Sequence, residues 1–217
     1  MGTTTTVSVI IPTLNRAALI ERALDSVSES TYPLVELMVV DQGSSDTTLQ
    51  LLDSRGVTWV QELVLGPGRA RKTGLAHTTG ELVLFLDSDD WLSHDAIATL
   101  VAEIEKSKAD MVYGQSHNVS LEHTGDHPQA WSPVCAPLTS SSLTRRTSFN
   151  KFGPFEDDIH SWARWIIMAR AAGIRSASVD SLICFRGIHD ANMSKKAEVR
   201  RALFSLVRTH RKSAGLP

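Results

Sequence analysis

The sequence predicts an α/β fold, a twisted and mostly parallel sheet flanked by helices on both faces. Three observations predict it. Short apolar, β-branched runs recur at residues 7–11, 37–40, 57–60 and 81–86, each of strand rather than helix length. Segments with helical spacing separate them, which implies parallel strands joined by right-handed crossovers. Polar, glycine-bearing clusters follow the strands, and in open parallel sheets ligands bind outside the carboxyl ends of the strands.

The elements follow in order. Residues 7–11 form a buried strand that Pro12 stops. A helix over 16–30 places Ala18, Leu19, Ala23 and Val27 on one face. The strand at 37–40 closes on Asp41-Gln42-Gly43-Ser44-Ser45-Asp46, where serine or aspartate can cap a helix over 46–54 with Leu49, Leu51 and Leu52 inward. After the strand at 57–60, Gly66-Pro67-Gly68 turns the chain into a helix over 69–78, and 81–86 is the central strand. A further helix starts near Ser93. The second half is less regular: a strand at 110–114, a hairpin or loop over 115–134, a helix over 157–172 and a last strand at 176–185. A basic amphipathic helix spans 195–212.

Composition narrows the function. At 217 residues the chain fits a single domain with a full core. A net charge of −2 gives no global field for holding nucleic acid by its phosphates. No stretch approaches the roughly 20 apolar residues of a membrane span, and the first apolar run is too short for a signal-peptide core. Met1-Gly2 with Thr6 satisfies a myristoylation pattern of low specificity. The two cysteines, Cys135 and Cys184, lack zinc spacing and suit a reducing cytoplasm.

The sharpest chemical signal is Asp87-Ser88-Asp89-Asp90, directly after the central strand. Carboxylates two apart at a strand end can hold a hard divalent ion through oxygen, leaving positions for diphosphate. The same residues would also serve as an acidic turn capping the next helix.

Four motifs occur in order: Val9-Ile10-Ile11-Pro12-Thr13-Leu14-Asn15-Arg16, Val39-Val40-Asp41-Gln42-Gly43-Ser44-Ser45-Asp46, Gly68-Arg69-Ala70-Arg71-Lys72-Thr73-Gly74, and residues 79–90 ending in the acidic cluster. Together they resemble the family 2 inverting glycosyltransferases of the GT-A fold, closely over 7–100 and more loosely over about 140–195. The resemblance implies a single domain over 1–217, with a nucleotide-sugar half at 7–114, an acceptor half at 115–194 and the basic helix at 195–217.

By the same resemblance Pro12, Thr13, Asp41, Gln42, Arg71, Asp87 and Ser88 bind the donor, expected to be a UDP-sugar. Gln42 departs from the family's second aspartate, and Lys72 replaces a frequent asparagine. Asp89 and His189 would hold Mn²⁺ or Mg²⁺, with His189 in the run Phe185-Arg186-Gly187-Ile188-His189-Asp190-Ala191-Asn192-Met193-Ser194. The remaining histidines read as surface residues. The acceptor base falls on Asp157 within Glu156-Asp157-Asp158, with either neighbour as alternative. In the register one turn later the acidic pair is replaced by Ser161 and Trp162, and the base would be absent.

The expected activity is metal-dependent, inverting sugar transfer to a small molecule, a lipid-linked sugar or a peptide. The basic helix would serve peripheral contact with the cytoplasmic face of a membrane, or simply pack on the domain. Trp131, Trp162 and Trp165 would stack on an acceptor or fill the core. A noncatalytic nucleotide-sugar binder or partner subunit is the alternative, and a sugar-nucleotide synthesising enzyme ranks last for want of a Gly-rich, cationic loop after the first strand. The oligomeric state is not legible.

Overall fold

The computed structural model describes residues 5–121, 133–153, 155–190, 192 and 201. Gly2, Trp131 and nearly all of the basic helix at 195–212 lie outside the described residues. The chain alternates β1 (Val7–Thr13), α1 (Ala17–Ser28), β2 (Val35–Asp41), α2 (Thr48–Ser54), β3 (Trp59–Gln61), α3 (Pro67–Ala76) and β4 (Leu82–Phe85). It continues through β5 (Trp91–Leu92), α4 (Ala96–Ser107), β6 (Met111–Ser120), β7 (Val134–Cys135), a 3₁₀ turn (Thr139–Ser141), β8 (Ser142–Arg145), α5 (Arg146–Lys151), α6 (Ser161–Ala171) and β9 (Ser176–Ile188).

One sheet runs β3-β2-β1-β4-β8-β6-β9-β5, with β7 added on β6. The expected parallel block is β3-β2-β1-β4, and β9 also runs parallel to β6. β8 is antiparallel to both β4 and β6, and β5 is antiparallel to β9.

Both faces of the sheet are covered, so its strands are apolar at successive positions rather than alternately. Val7, Val9, Ile11, Leu82, Leu84 and Leu86 pack with α1, α2 and α4 on one face. Ile10, Val83, Phe85 and Met111 pack with α3, α5 and α6 on the other. Phe85, Phe149, Phe155, Trp162 and Trp165 form an aromatic nest there, with ring centroids 4.9 to 6.1 Å apart. The two described tryptophans of the helical segment are therefore core residues first.

Several boundaries differ from the sequence reading. Pro12 does not stop β1, which continues through Thr13 opposite Val40 and Asp41. Pairing to β4 ends at Ile10, so the absent Pro12 N–H falls where that side of β1 needs no donor. The buried face of α1 turns on Ile20 and Leu24 beside Ala23 and Val27, and Ala18 is exposed. Residues 115–120 belong to the long strand β6 rather than to a loop. The helix expected from 157 starts only at Ser161, so the acidic triplet lies in the turn before it.

Candidate active site

Parallel register brings the chemistry to one edge. Thr13 is opposite Asp41 where β1 and β2 end, and β4 ends beside them at Phe85, so the chain leaves it directly into Asp87-Ser88-Asp89-Asp90. β4 is not followed by a crossover helix. The chain instead turns into β5, which pairs with the far end of β9 and draws His189 to the same edge.

A cleft of about 720 Å³ opens there. Its walls include Pro12, Thr13, Gln42, Arg71, Asp87, Ser88, Asp89 and Asp157. Asp41 and His189 are adjacent rather than on the wall: Asp41 is fully buried, and His189 sits behind Asp89.

Asp41 divides its two oxygens. Oδ2 accepts the backbone N–H groups of Gly43 (2.9 Å) and Ser44 (3.0 Å), fixing the turn in which Gly43 takes φ +87°. Oδ1 is buried without a hydrogen-bond partner, as is Thr13 Oγ1. Gln42 is used structurally: its Nε2 donates to the carbonyls of Val64 (3.0 Å) and Gly66 (3.1 Å), pinning the loop before α3.

Arg71 is buried, not splayed into solvent. One terminal nitrogen donates to Ser161 Oγ at 2.8 Å and the other to Asp87 Oδ1 at 3.3 Å, while Nε has no partner. Its guanidinium thus joins α3, the acidic loop and the first residue of α6. Asp87 turns part of its carboxylate to the cleft but stands in a deep recess. Desolvation there raises its pKa, opposed by Arg71 and reinforced by Asp89.

Asp90 has a separate task. Ser140 Oγ lies 2.6 Å from its Oδ2, and the Gly187 N–H donates to Oδ1 at 3.1 Å. Ser140 Oγ also accepts the Asp87 N–H at 3.1 Å. Burial, then the charges of Asp87 and Asp89, push the Asp90 carboxyl up to about 8. It is a clip that ties the acidic loop to the 3₁₀ turn and to β9.

Asp89 and His189 meet directly, with Nε2 at 3.0 Å from Oδ2. Asn192 Nδ2 donates to the same oxygen at 3.1 Å. Among the described residues no three His, Cys, Asp or Glu side chains enclose an ion. The donor set nevertheless fits one that is only partly held by protein. Two ligands at the roughly 2.0–2.1 Å of octahedral Mg²⁺ stand about 3 Å apart, the separation seen here. Carboxylate oxygen with one imidazole also suits Mg²⁺ or Mn²⁺.

The acidic triplet is packed hard against α3. A Cβ on Gly68 would lie 1.8 Å from the Glu156 carbonyl oxygen, so only glycine permits the approach. Asp157 pairs with Lys72 and keeps a half-exposed side chain in the cleft. Asp158 accepts from Arg164 at 2.7 Å and from the His160 N–H at 2.8 Å. Glu156 is exposed and outside the cleft lining.

Sequence reasoning missed four contributors: Ser140, His160, Gly187 and Asn192. His160 lines the cleft, with Nε2 buried and unpartnered, and is not a surface histidine. The one available signal was the polar run after the last strand, which already contained Gly187 and Asn192.

A mostly parallel sheet flanked by helices on both faces, with a cleft at the carboxyl ends of its strands, is the GT-A architecture. The chain belongs to glycosyl transferase family 2, whose model matches residues 8–182. It is 35% identical over 130 residues to the GalNAc(5)-diNAcBac-PP-undecaprenol beta-1,3-glucosyltransferase of Campylobacter jejuni, covering 54% of this chain and 42% of that protein. The chain thus spans less than half the length of that relative. Staphylococcus aureus TarS 1-349, solved with UDP-GlcNAc, superposes with a TM-score of 0.74 at 23% identity, covering 93% of this chain and 66% of that one. Pyrobaculum calidifontis mannosyltransferase PcManGT, solved with GDP-Man and Mn²⁺, gives 0.76 at 21%, covering 97% and 64%. At these identities the two structures speak for the fold.

Proposed function

We propose that the chain transfers a sugar, with inversion, from a nucleoside-diphosphate donor to an acceptor nucleophile, with Mn²⁺ or Mg²⁺ beside the diphosphate. The observation that carries this reading is His189 Nε2 at 3.0 Å from Asp89 Oδ2, two donors a hundred residues apart in sequence. The ion, when bound, would supply positive charge to the departing diphosphate. The two solved neighbours bound to donors point the same way.

Thr13 Oγ1 and Asp41 Oδ1 would receive the nucleoside, since a buried acceptor without a donor costs about 1–3 kcal/mol that a base or ribose N–H or O–H recovers. Pro12 and Ser88 would line its pocket, Asp87 the ribose side. Gln42 and Arg71, also on the wall, would line the donor pocket while one holds the loop before α3 and the other holds Asp87. A UDP-sugar is the first donor to try and a GDP-sugar the second, because an acceptor oxygen at Asp41 fits an N–H edge of either base.

Asp157 would take the acceptor's proton as the nucleophile attacks the anomeric carbon, with Lys72 holding the carboxylate in place. A lipid-linked sugar is the favoured acceptor, since the Campylobacter relative is named for an undecaprenol-linked one. Contact with the cytoplasmic face of a membrane would go with it. No helix of the described residues is long and apolar enough to cross one. Residues 1–217 act as one domain in this reading, with the donor half at 7–114, the acceptor half at 115–194 and the basic helix at 195–217.

The test has two parts. Thermal shifts with UDP and GDP, with and without Mn²⁺, should show stabilisation of about 2.7 kcal/mol at 100-fold the Kd, and this should vanish in chelator. Asp157→Asn should keep that shift and slow transfer by about 10²–10⁴-fold; an undiminished rate removes Asp157 from the role.

A second reading, a nucleotide-sugar binder without transferase activity, is favoured by one observation: Asp157 and Asp158 are both engaged by cations, and Ser161 and Trp162 occupy the alternative register. It predicts binding of nucleotide and metal with neither transfer nor donor hydrolysis.

A further inference from the structure

We infer that Asn192 is a positioning residue that sets Asp89 and His189 for the divalent ion; this rests on the metal reading above. One amide spans both candidate ligands. Its Nδ2 donates to Asp89 Oδ2 at 3.1 Å and to the Gly187 carbonyl at 3.1 Å, and its Oδ1 accepts the His189 backbone N–H at 2.5 Å. Both amide protons and the amide oxygen are therefore engaged, two of the three bonds going to the ligand pair.

The base of this bridge is rigid. A Cβ on Gly187 would lie 2.1 Å from the Asp89 carbonyl oxygen, and the Gly187 N–H is held by Asp90. The end of β9 is thus pressed onto the backbone of the acidic loop, and Asn192 closes the turn from Gly187 back over the Asp89 carboxylate. Residue chemistry fits the position. An amide donates and accepts at once and adds no charge; an aspartate could not donate, and an alanine could do neither.

The bridge matters most once an ion is present. His189 must then offer Nε2 as a lone pair, so its own hydrogen bond to Asp89 gives way. The Asn192 bond to Oδ2 survives that exchange, because a carboxylate oxygen has two lone pairs. It keeps the carboxylate from rotating away from His189 while the pair accepts the ion. Hydrogen bonds behind a ligating carboxylate typically change metal affinity by about 10–100-fold.

The experiment titrates Mn²⁺ into the full chain at saturating UDP, followed by the electron paramagnetic signal of free Mn²⁺, for wild type, Asn192→Ala and Asn192→Ser. Calorimetry of UDP in chelator and the metal-free unfolding transition serve as controls. Expected is a Mn²⁺ Kd about 10–100-fold higher in N192A, an intermediate value in N192S, whose hydroxyl restores one donor, and unchanged controls. Should N192A fail to fold, N192S alone decides. Wild-type Mn²⁺ affinity in either folded variant that lacks the amide overturns the inference. So does a loss matched by equal losses in the controls, which would make Asn192 merely structural. Wild-type UDP binding indifferent to Mn²⁺ and to chelator removes the metal reading and this inference together.

Discussion

Two polar clusters of the sheet, Glu36 with Arg146 at the amino end and the cleft wall at the carboxyl end, are satisfied to different degrees. At the amino end, Glu36 Oε2 accepts from Ser8 Oγ (2.7 Å), Thr79 N (2.8 Å) and Gly80 N (3.0 Å). Arg146 donates to the carbonyls of Gly80 (2.6 Å) and Leu75 (2.9 Å) and to the hydroxyls of Ser8 and Thr78. At the carboxyl end, Thr13 Oγ1, Asp41 Oδ1, Arg71 Nε and His160 Nε2 are buried with no partner. Polar groups that answer one another serve the fold; a buried group left unanswered on the cleft wall, as at Thr13, is a candidate for contact with a ligand.

The largest effect should come from the closed end. Arg146→Ala strands the carbonyls of Gly80 and Leu75 and removes the positive charge near Glu36, and should cost about 3 kcal/mol in urea unfolding. UDP affinity of the folded fraction should not change. A comparable fall in UDP affinity would mean that the two ends are not separable. At the open end, Asp41→Asn retains an oxygen for the Gly43 turn and loses the orphaned acceptor. UDP should bind about 10–100-fold more weakly, the equivalent of one hydrogen bond to a charged group, without loss of stability. Smaller again, Thr13→Val removes a buried hydroxyl that nothing satisfies. We expect a gain of up to about 1 kcal/mol in the absence of ligand, offset by weaker nucleotide binding. A stability loss would show that the hydroxyl already has an internal role.

The pH dependence should split the same way. Burial alone would raise the Glu36 carboxyl, but its hydrogen bonds and Arg146 outweigh this and lower it. A lowered acid stabilises the fold above its unfolded pKa and loses that contribution as pH falls through the folded value. The deficit of Glu36→Gln should therefore be present at pH 7 and shrink toward pH 3. Asp90 is the reverse case. With its pKa raised to about 8, the native state keeps a proton that the unfolded chain sheds near pH 4. Stability should then decline from about pH 4 to about pH 8, and Asp90→Asn should flatten that decline. Parallel pH curves for the wild type and both variants would contradict both assignments.

What was legible in the sequence follows from how each element is stabilised. β1, β2 and β4 are buried on both faces and therefore written as continuous apolar runs, and the acids after them stand out by contrast. β8 was invisible because Ser142, Thr144 and Arg145 carry no apolar pattern. They are held by pairing on both sides and, for Arg145, by bonds to the carbonyls of Ala109 and Ile104. The late start of α6 has a similar cause, since Asp158 spends its carboxylate on Arg164 and the His160 N–H, closing a turn that helical spacing alone would have absorbed. Motif alone picked out Arg71, Asp87, Asp89 and His189, which the structure places in contact in two pairs. The serines that fasten this frame, Ser161 on Arg71 and Ser140 on Asp90, lie 90 and 50 positions away and leave no local signature.

The contact of Gly68 with the Glu156 carbonyl reaches beyond local packing. It is a seam between α3 and the turn before α6 with no tolerance for even a methyl group, so neither lip of the cleft can be redesigned without the other. Anyone transplanting an acceptor loop from another transferase onto this scaffold must bring along a backbone that nests on that glycine. New specificity is therefore better sought in side chains hung from the existing seam than in exchanged segments.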